Sequence, residues 1–201
     1  MIKNIVFDVG KVLVTFEPEK HLVNLGYDER TRKKVMEAMF LHPLWNENDR
    51  GIMTDEELLA GFISNAPECE MQIREAFNKI EKTIELMPYS LGWVRELKEK
   101  GYHLYIISNY GEYTYQQTKH KLEFLPYMDG VIFSFQYKMI KPDEVIYKKL
   151  LELYQLQAEE CVFIDDSLPN VEAAKKVGFQ AIQFQNYERT RQQLGKLLES
   201  V

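Results

Sequence analysis

The sequence predicts an α/β protein: a Rossmann-like parallel sheet with helices on both faces, plus an inserted helical segment. Two observations support this prediction. Short runs of β-branched and aromatic residues alternate with helical patterns, and one long stretch contains helical patterns alone. Continuous apolar runs are expected of strands covered on both faces, and their alternation with helices is typical of a parallel sheet.

Apolar runs predict five strands and helices between the later ones. The predicted strands cover residues 5–7, 105–107, 131–133, 162–164 and 181–184. One predicted helix covers residues 143–154 behind an opening Pro142, and another covers residues 171–177 and ends at Gly178.

Residues 16–86 interrupt this alternation, because their pattern is helical throughout. We therefore expect a catalytic core formed by residues 1–15 and 87–201, and a helical cap formed by residues 16–86. Ligands of open α/β sheets bind outside the carboxyl ends of the strands, so an insertion after the first strand would lie over that site.

Composition excludes several classes of protein. The 201 residues suffice for one core and a small insertion. With 25 Lys and Arg against 31 Asp and Glu, and no strongly basic segment, a nucleic-acid partner is not expected. The apolar start is too short for a membrane span, and Cys69 and Cys161 provide no disulfide framework. We expect a cytoplasmic monomer that does not bind membranes.

Polar residues follow three of the predicted strands: Asp8, the pair Ser108 and Asn109, and the pair Asp165 and Asp166. Parallel strands would bring them to one edge of the sheet, where carboxylates can hold a hard cation such as Mg²⁺. The adjacent acids repel each other, and a divalent cation offsets that repulsion. Two structural alternatives remain open: Asp8 caps the following turn, and Asp166 or Ser167 caps the following helix.

Lys141 precedes Pro142, whose ring favours an extended conformation at the lysine. Most lysines are simply solvated. A charge fixed at this position could instead neutralise Asp8 and the oxygens of a phosphoryl group.

These four features, in this order, resemble the motifs of the haloacid dehalogenase superfamily, in the subgroup with a small helical cap. The resemblance implies that Asp8 is the nucleophile of a magnesium-dependent phosphatase and forms an aspartyl-phosphate. It implies metal ligation by Asp8, the Gly10 carbonyl and Asp166, with Asp165 as a supporting or additional ligand. It also implies that Ser108, the Asn109 backbone and Lys141 hold phosphoryl oxygens.

One position departs from the family pattern. Phosphatases of this superfamily usually carry a second Asp two residues after the nucleophile, which protonates the leaving group, but this chain has Gly10. A positioned acid–base group is worth about 10²- to 10⁴-fold in rate. An easily expelled leaving group, such as that of a sugar 1-phosphate or an acyl phosphate, would reduce the need for it.

Two other functions remain open: a 2-haloacid dehalogenase in which Asp8 attacks carbon, and a weakly catalytic protein that binds a phosphorylated ligand. The paired acids favour the phosphatase, because the dehalogenase reaction needs no metal. The expected substrate is a small phosphorylated metabolite. Trp45, Asp49 and Arg50 of the predicted cap are candidates to contact it, although packing is the expected role of Trp45.

Overall fold

The computed structural model describes residues 1–199, and its central feature is a five-stranded parallel sheet. The spatial order of the strands is β3-β2-β1-β4-β5. Their bounds are Asn4–Phe7 (β1), His103–Ser108 (β2), Gly130–Phe133 (β3), Cys161–Asp165 (β4) and Gln180–Gln183 (β5). The predicted α/β fold class is confirmed.

Burial explains which runs became strands. Every residue of β1 and β4 is buried, as expected for central strands with helices on both faces. The fifth strand was predicted over residues 181–184, but it begins and ends one residue earlier. Gln180 is exposed at the edge of the sheet, where a polar residue can pair through its backbone without being buried.

Eleven α-helices are present within residues 1–199. Their bounds are Pro18–Asn24 (α1), Glu29–Val35 (α2), Leu44–Arg50 (α3), Asp55–Asn65 (α4), Glu70–Asn78 (α5), Ser90–Glu99 (α6), Glu112–Thr118 (α7), Ser134–Tyr137 (α8), Glu144–Tyr154 (α9), Leu168–Val177 (α10) and Tyr187–Glu199 (α11). Shorter helical turns include a π-helix over Met36–Phe40 and a 3₁₀ helix over Ile80–Thr83.

Both predicted helices of the later half need a corrected start. Helix α9 begins at Glu144, because Asp143 has the extended backbone of an N-cap, so Pro142 precedes the helix and does not open it. Helix α10 begins at Leu168, three residues before the predicted start, with Pro169 in its first turn. It ends as predicted, with Gly178 in the left-handed conformation at a φ of 106°.

Helices α1 to α5 enclose a hydrophobic cluster of their own. Its buried members all lie between Leu22 and Ile80, whereas the other two clusters cover the two faces of the sheet. The chain enters and leaves this segment side by side: Thr15 N donates to Glu85 O at 2.8 Å, and Glu17 N donates to Thr83 O at 2.9 Å. The exact domain bounds, 16 and 86, stay a prediction.

Two further observations concern the described residues. None of their helices has both the length and the apolar content needed to cross a membrane. Cys69 and Cys161 are free and buried, so each behaves as a small core residue.

Candidate active site

The three predicted clusters of polar residues meet at the carboxyl edge of the sheet. Strands β2 and β4 flank β1, with Phe7 paired to Ile106 on one side and to Ile164 on the other. One carboxylate oxygen from each of Asp8, Asp165 and Asp166 lies within 4.8 Å of the other two. The chain therefore presents three acidic groups at one point.

Lys141 lies beneath these acids. Its Nζ is 2.8 Å from Asp8 Oδ1 and 2.6 Å from Asp165 Oδ2, and the residue is only 3% exposed. The solvated alternative for Lys141 is therefore wrong. Burial opposes the charged ammonium, but the carboxylates of Asp165 and Asp8 outweigh it and raise the pKa of Lys141. The side chain remains a cation in contact with both acids.

Asn109 fixes the backbone of Lys141. Its Oδ1 accepts a hydrogen bond from Lys141 N at 2.8 Å, and its Nδ2 donates to Lys141 O at 3.0 Å. The end of β2 is thus bonded to the segment that precedes α9. The side chain of Asn109 is committed to this contact, a role that the sequence did not indicate.

Asp165 and Asp166 have different environments. Asp165 is fully buried, and its carboxylate accepts from Ser167 N at 2.8 Å, from Asn170 Nδ2 at 3.0 Å and from Lys141. Asp166 is partly exposed to the cavity above the sheet, with Lys11 Nζ at 3.8 Å. Asp165 therefore supports the site from below, whereas Asp166 faces the space where a ligand would bind.

The predicted capping alternative is wrong for the second pair. Ser167 occupies the N-cap position of α10, but its side chain makes no capping hydrogen bond. The carboxylate that accepts the Ser167 N–H belongs to Asp165. Asp166 therefore keeps its carboxylate for the cavity.

Asp8 and Ser108 are buried polar residues whose interactions are incomplete without a ligand. Burial raises the pKa of Asp8 to about 7, against the opposing effect of the Lys141 ammonium. The Ser108 hydroxyl is buried without a hydrogen-bond partner of good geometry among residues 1–199, although its proximity lowers the pKa of Asp8. A buried hydroxyl without a partner is costly, and a bound anion would satisfy it.

A cavity of about 200 Å³ lies between this edge of the sheet and the helical segment. Asp8, Lys141 and Asp166 line its floor, and Trp45 and Asp49 of α3 line it from the helical segment. Trp45 also packs against aromatic rings, with centroid distances of 5.9 Å to Phe16, 4.9 Å to Phe40 and 6.2 Å to Phe62. Its indole therefore serves both the packing of the segment and the wall of the cavity.

One candidate from the sequence lies elsewhere, one residue was missed, and one was given a different role. Arg50 points to Asp143, with Nη1 3.5 Å from Oδ2, and does not line the cavity. Asn170 was missed, although its place in the first turn after a strand end is a usable signal. Asp49 was considered only as a possible substrate contact, because no local pattern relates it to Asp8.

The residues present fit a magnesium ion. Three carboxylates, those of Asp8, Asp165 and Asp166, face two lysines, Lys141 and Lys11, which leaves excess negative charge around the cluster. Oxygen ligands of this kind are those that Mg²⁺ prefers. Within residues 1–199 this is the one cluster of potential ligands of its kind, and none of the four histidines belongs to it.

Comparisons with known proteins agree with this geometry. Residues 2–178 match the family model of the haloacid dehalogenase-like hydrolases. A D-ribitol-5-phosphate phosphatase of Bacteroides thetaiotaomicron is 27% identical, covering 100% of both chains, and a sesquiterpene phosphatase of Aspergillus oryzae is 24% identical, covering 98% of this chain and 96% of its own.

A similar solved structure is a haloacid dehalogenase family enzyme of Bacteroides thetaiotaomicron in complex with magnesium and inorganic phosphate. It has a TM-score of 0.73 and 22% identity, and the match covers 94% of this chain and 99% of that one. This likeness supports the fold. With the family match over most of the chain, the protein belongs to the haloacid dehalogenase-like hydrolases.

Proposed function

We propose that the protein is a magnesium-dependent phosphatase that hydrolyses a small phosphorylated metabolite of the sugar or polyol class through an aspartyl-phosphate on Asp8. One observation carries this proposal. The Asp8 carboxylate lies 2.8 Å from Lys141 Nζ, within the cluster of three acids and on the floor of a cavity that the helical segment covers.

The metal would be held by the Asp8 and Asp166 carboxylates and the Gly10 carbonyl. Asp165 is better placed as a support, because its oxygens already accept from Lys141, Ser167 N and Asn170. When bound, magnesium supplies positive charge that neutralises the phosphoryl oxygens and the acids around them.

The reaction begins with in-line attack by a carboxylate oxygen of Asp8 on phosphorus, while the bond from phosphorus to the leaving oxygen breaks. Lys141, the Ser108 hydroxyl and the Asn109 backbone are the groups that hold the phosphoryl oxygens. Lys141 and Ser108 are buried, which makes their contacts stronger than they would be in water. Water then attacks the aspartyl-phosphate and releases Asp8 and inorganic phosphate.

Cavity size and lining support the substrate class. About 200 Å³ suits a substrate of few atoms, since pockets for drug-sized ligands measure about 300–1,000 Å³. Trp45 offers an apolar face for the carbon chain of a substrate, and polar groups line other parts of the cavity. The relative that acts on D-ribitol 5-phosphate supports a polyol phosphate, and a sugar 1-phosphate stays within the class.

Residues 16–86 are inferred to act as the cap that closes the cavity and excludes water. We infer a monomer, since the proposed site needs no group from a second chain, and a cytoplasmic location, since both cysteines are free, as a reducing compartment favours. The dehalogenase alternative is not favoured, since it leaves the Asp166 carboxylate in the cavity without a role.

Phosphate release from a panel of sugar, polyol and acyl phosphates, with MgCl₂ or with EDTA, tests the proposal. Release that depends on magnesium is expected, and Asp8→Asn should abolish it while the circular dichroism spectrum is unchanged. Retained turnover in Asp8→Asn would contradict the covalent mechanism. Binding of inorganic phosphate without any turnover would favour the ligand-binding alternative, and halide release from 2-chloropropionate would favour the dehalogenase.

A further inference from the structure

The inference that follows rests on the proposed function and concerns the source of the proton for the leaving group. An alkyl phosphate expels a strongly basic alkoxide, so breaking its bond to phosphorus needs a positioned acid. Gly10 provides none, because it has no side chain. The acid must therefore come from another residue that lines the cavity.

Few side chains of the described residues can supply this proton. The titratable groups that line the cavity are Asp8, Lys11, Asp49, Tyr110, Lys141 and Asp166. Asp8 is the nucleophile, and Lys141 is bonded to two carboxylates. Asp166 belongs to the proposed metal site, and Lys11 is 59% exposed and lies beside it.

Tyr110 is excluded by its hydrogen bond. Its hydroxyl is 2.7 Å from Thr118 Oγ1, and Thr118 itself donates to Thr114 O at 2.6 Å. The Tyr110 hydroxyl must therefore donate to Thr118, so its proton is committed. Burial also raises the pKa of Tyr110 far above neutrality. Asp49 is the group that remains.

Asp49 is also on the correct side of the cavity. In-line displacement places the nucleophile and the leaving oxygen on opposite sides of phosphorus. Asp8 follows β1 at the carboxyl edge of the sheet, and Asp49 belongs to α3 of the helical segment, and both line the cavity. A leaving group held in this cavity would have its oxygen toward the helical segment.

The end of α3 that carries Asp49 is fixed to the core. Ser134 Oγ donates to Asp49 O at 2.5 Å, and Lys138 Nζ donates to Gly51 O. Gly51 has a φ of 68°, and a Cβ at this position would lie 2.9 Å from Phe135 Cα, so the helix end packs directly on α8. The Asp49 carboxyl accepts from Asn48 Nδ2 at 3.4 Å, and it is one of the groups that line the cavity.

We propose that Asp49 is the general acid and base of the reaction and replaces the carboxyl missing at Gly10. In the first step the Asp49 carboxyl gives its proton to the leaving oxygen as the Asp8–phosphorus bond forms and the phosphorus–leaving-oxygen bond breaks. In the second step the Asp49 carboxylate takes a proton from the water that attacks phosphorus. The Asp8–phosphorus bond breaks, and phosphate and both original carboxyl groups are restored.

The electrostatics of Asp49 suit both steps. Burial, and then the negative charge of Asp8, raise the pKa of Asp49 from 3.8 to about 7, while Lys141 and the Gly111 N–H act in the opposite direction. A group with a pKa near the working pH is available in both protonation states.

Leaving-group dependence tests the proposal. The substrates are D-ribitol 5-phosphate, an alkyl phosphate, and p-nitrophenyl phosphate, whose leaving group needs no acid. For Asp49→Asn we expect kcat/KM on the alkyl phosphate to fall by about 10²- to 10⁴-fold, and the rate of the first nitrophenol burst to fall far less. The ratio of the alkyl-phosphate rate to the nitrophenol burst rate does not depend on the fraction of folded enzyme, so it controls for partial misfolding. The same ratio is measured for Asp49→Ala.

Two further readouts separate an acid–base role from a structural one. Phosphoenzyme on Asp8, trapped by acid quench and detected by mass spectrometry, should accumulate in Asp49→Asn with p-nitrophenyl phosphate, because the second step also loses its base. Gly10→Asp added to Asp49→Asn should restore at least part of the alkyl-phosphate rate. A Cβ at Gly10 meets no described atom within 4 Å, so the new side chain has room to enter.

Glu47→Gln is the matched control, because it removes the same charge from the same helix at a residue that does not line the cavity. An unchanged alkyl-to-aryl ratio in both Asp49 variants would overturn the inference. So would a loss confined to KM, which would assign Asp49 to substrate binding. Failure of the proposed function looks different: the wild-type protein itself would release no phosphate from any substrate.

Discussion

The side-chain amide of Asn109 makes two hydrogen bonds to the backbone of Lys141, at 2.8 and 3.0 Å, and so joins the end of β2 to the loop that carries the site's buried cation. Lys141 Nζ must contact Asp8 and Asp165 together, and its position depends on where its backbone is held. Asn109 is therefore a positioning residue.

For Asn109→Ala we expect kcat to fall by about 10²-fold, because a displacement of about 1 Å in a catalytic group can cost that much. KM should change less. Steady-state kinetics on the preferred phosphate ester would measure this, with Gln117→Ala, an exposed residue of α7, as the control. A variant with normal kcat would show that Lys141 is held well enough by its two acids.

Substitutions of Asp165 and Asp166 should have different effects on stability. Asp165→Asn breaks a buried ion pair, which typically costs about 3–5 kcal/mol of stability with or without metal. Asp166→Asn should leave the metal-free stability nearly unchanged but reduce the rise in Tm that MgCl₂ produces. Saturation at about 100 times Kd stabilises a protein by about 2.7 kcal/mol.

Thermal unfolding with and without MgCl₂ would test this assignment, with Glu172→Gln on the exposed face of α10 as the control. Equal losses of the magnesium effect in both variants would mean that Asp165 also ligates the metal.

Gly111 provides a test of the contact between helical segment and core. A Cβ at this position would lie 2.4 Å from the amide atoms of the buried Asn48, next to Asp49. Gly111→Ala should therefore destabilise the protein by about 1–3 kcal/mol and reduce turnover, because α3 must move. Gly92→Ala is the matched control, since no described atom lies within 4 Å of its added Cβ and alanine favours a helix by about 0.5–1 kcal/mol.

Urea unfolding and kinetics on both glycine variants would measure these effects. If Gly111→Ala had wild-type stability and activity, Asn48 would have to turn aside without moving α3.

His21 should make stability depend on pH. It is buried in the helical segment, its Nε2 is 3.2 Å from Ala76 O, and burial lowers its pKa below 6.5. Below pH 6.5 the unfolded chain therefore binds a proton that the folded chain does not, and stability is lost as pH falls toward the folded pKa. The nearby charged groups that affect this pKa are Glu81, Lys79 and Glu75.

The loss cannot exceed about 1.4 kcal/mol per pH unit for one group. Urea midpoints between about pH 8 and about pH 5 would show it. His21→Gln should remove this part of the slope, and His120→Gln, at an exposed position, should keep it. An identical slope in the wild type and His21→Gln would assign the effect to other groups.

Sequence patterns predict the site residues at the carboxyl edge of the sheet well and those of the helical segment poorly. Asp8, Ser108 and Asp165 each follow an apolar run, and the rule that parallel strands share a carboxyl edge is enough to bring them together. Lys141 was indicated less directly, by its fixed place before Pro142 and its coincidence with the other polar residues, because an isolated lysine is normally solvated.

The position of Asp49 had no such signal. It depends on how α3 packs on α8, through contacts of Ser134, Phe135 and Lys138 that no local periodicity encodes. The two hydrogen bonds from Asn109 to the Lys141 backbone could not be predicted either, since they depend on the path of the chain before α9. Local propensity determines elements, whereas packing between elements determines which side chains meet.

The paired backbone at Thr15–Glu85 and Glu17–Thr83 has an evolutionary consequence. The two connections run side by side, so the chain leaves the core and returns to it at neighbouring positions. The entropic cost of closing such a loop grows only slowly with its length. Insertions, deletions or wholesale exchange between these two crossings would leave strand order and register untouched. New leaving-group preferences, and the proton donor that serves them, could arise here while Asp8, Lys141 and the paired acids stay constant.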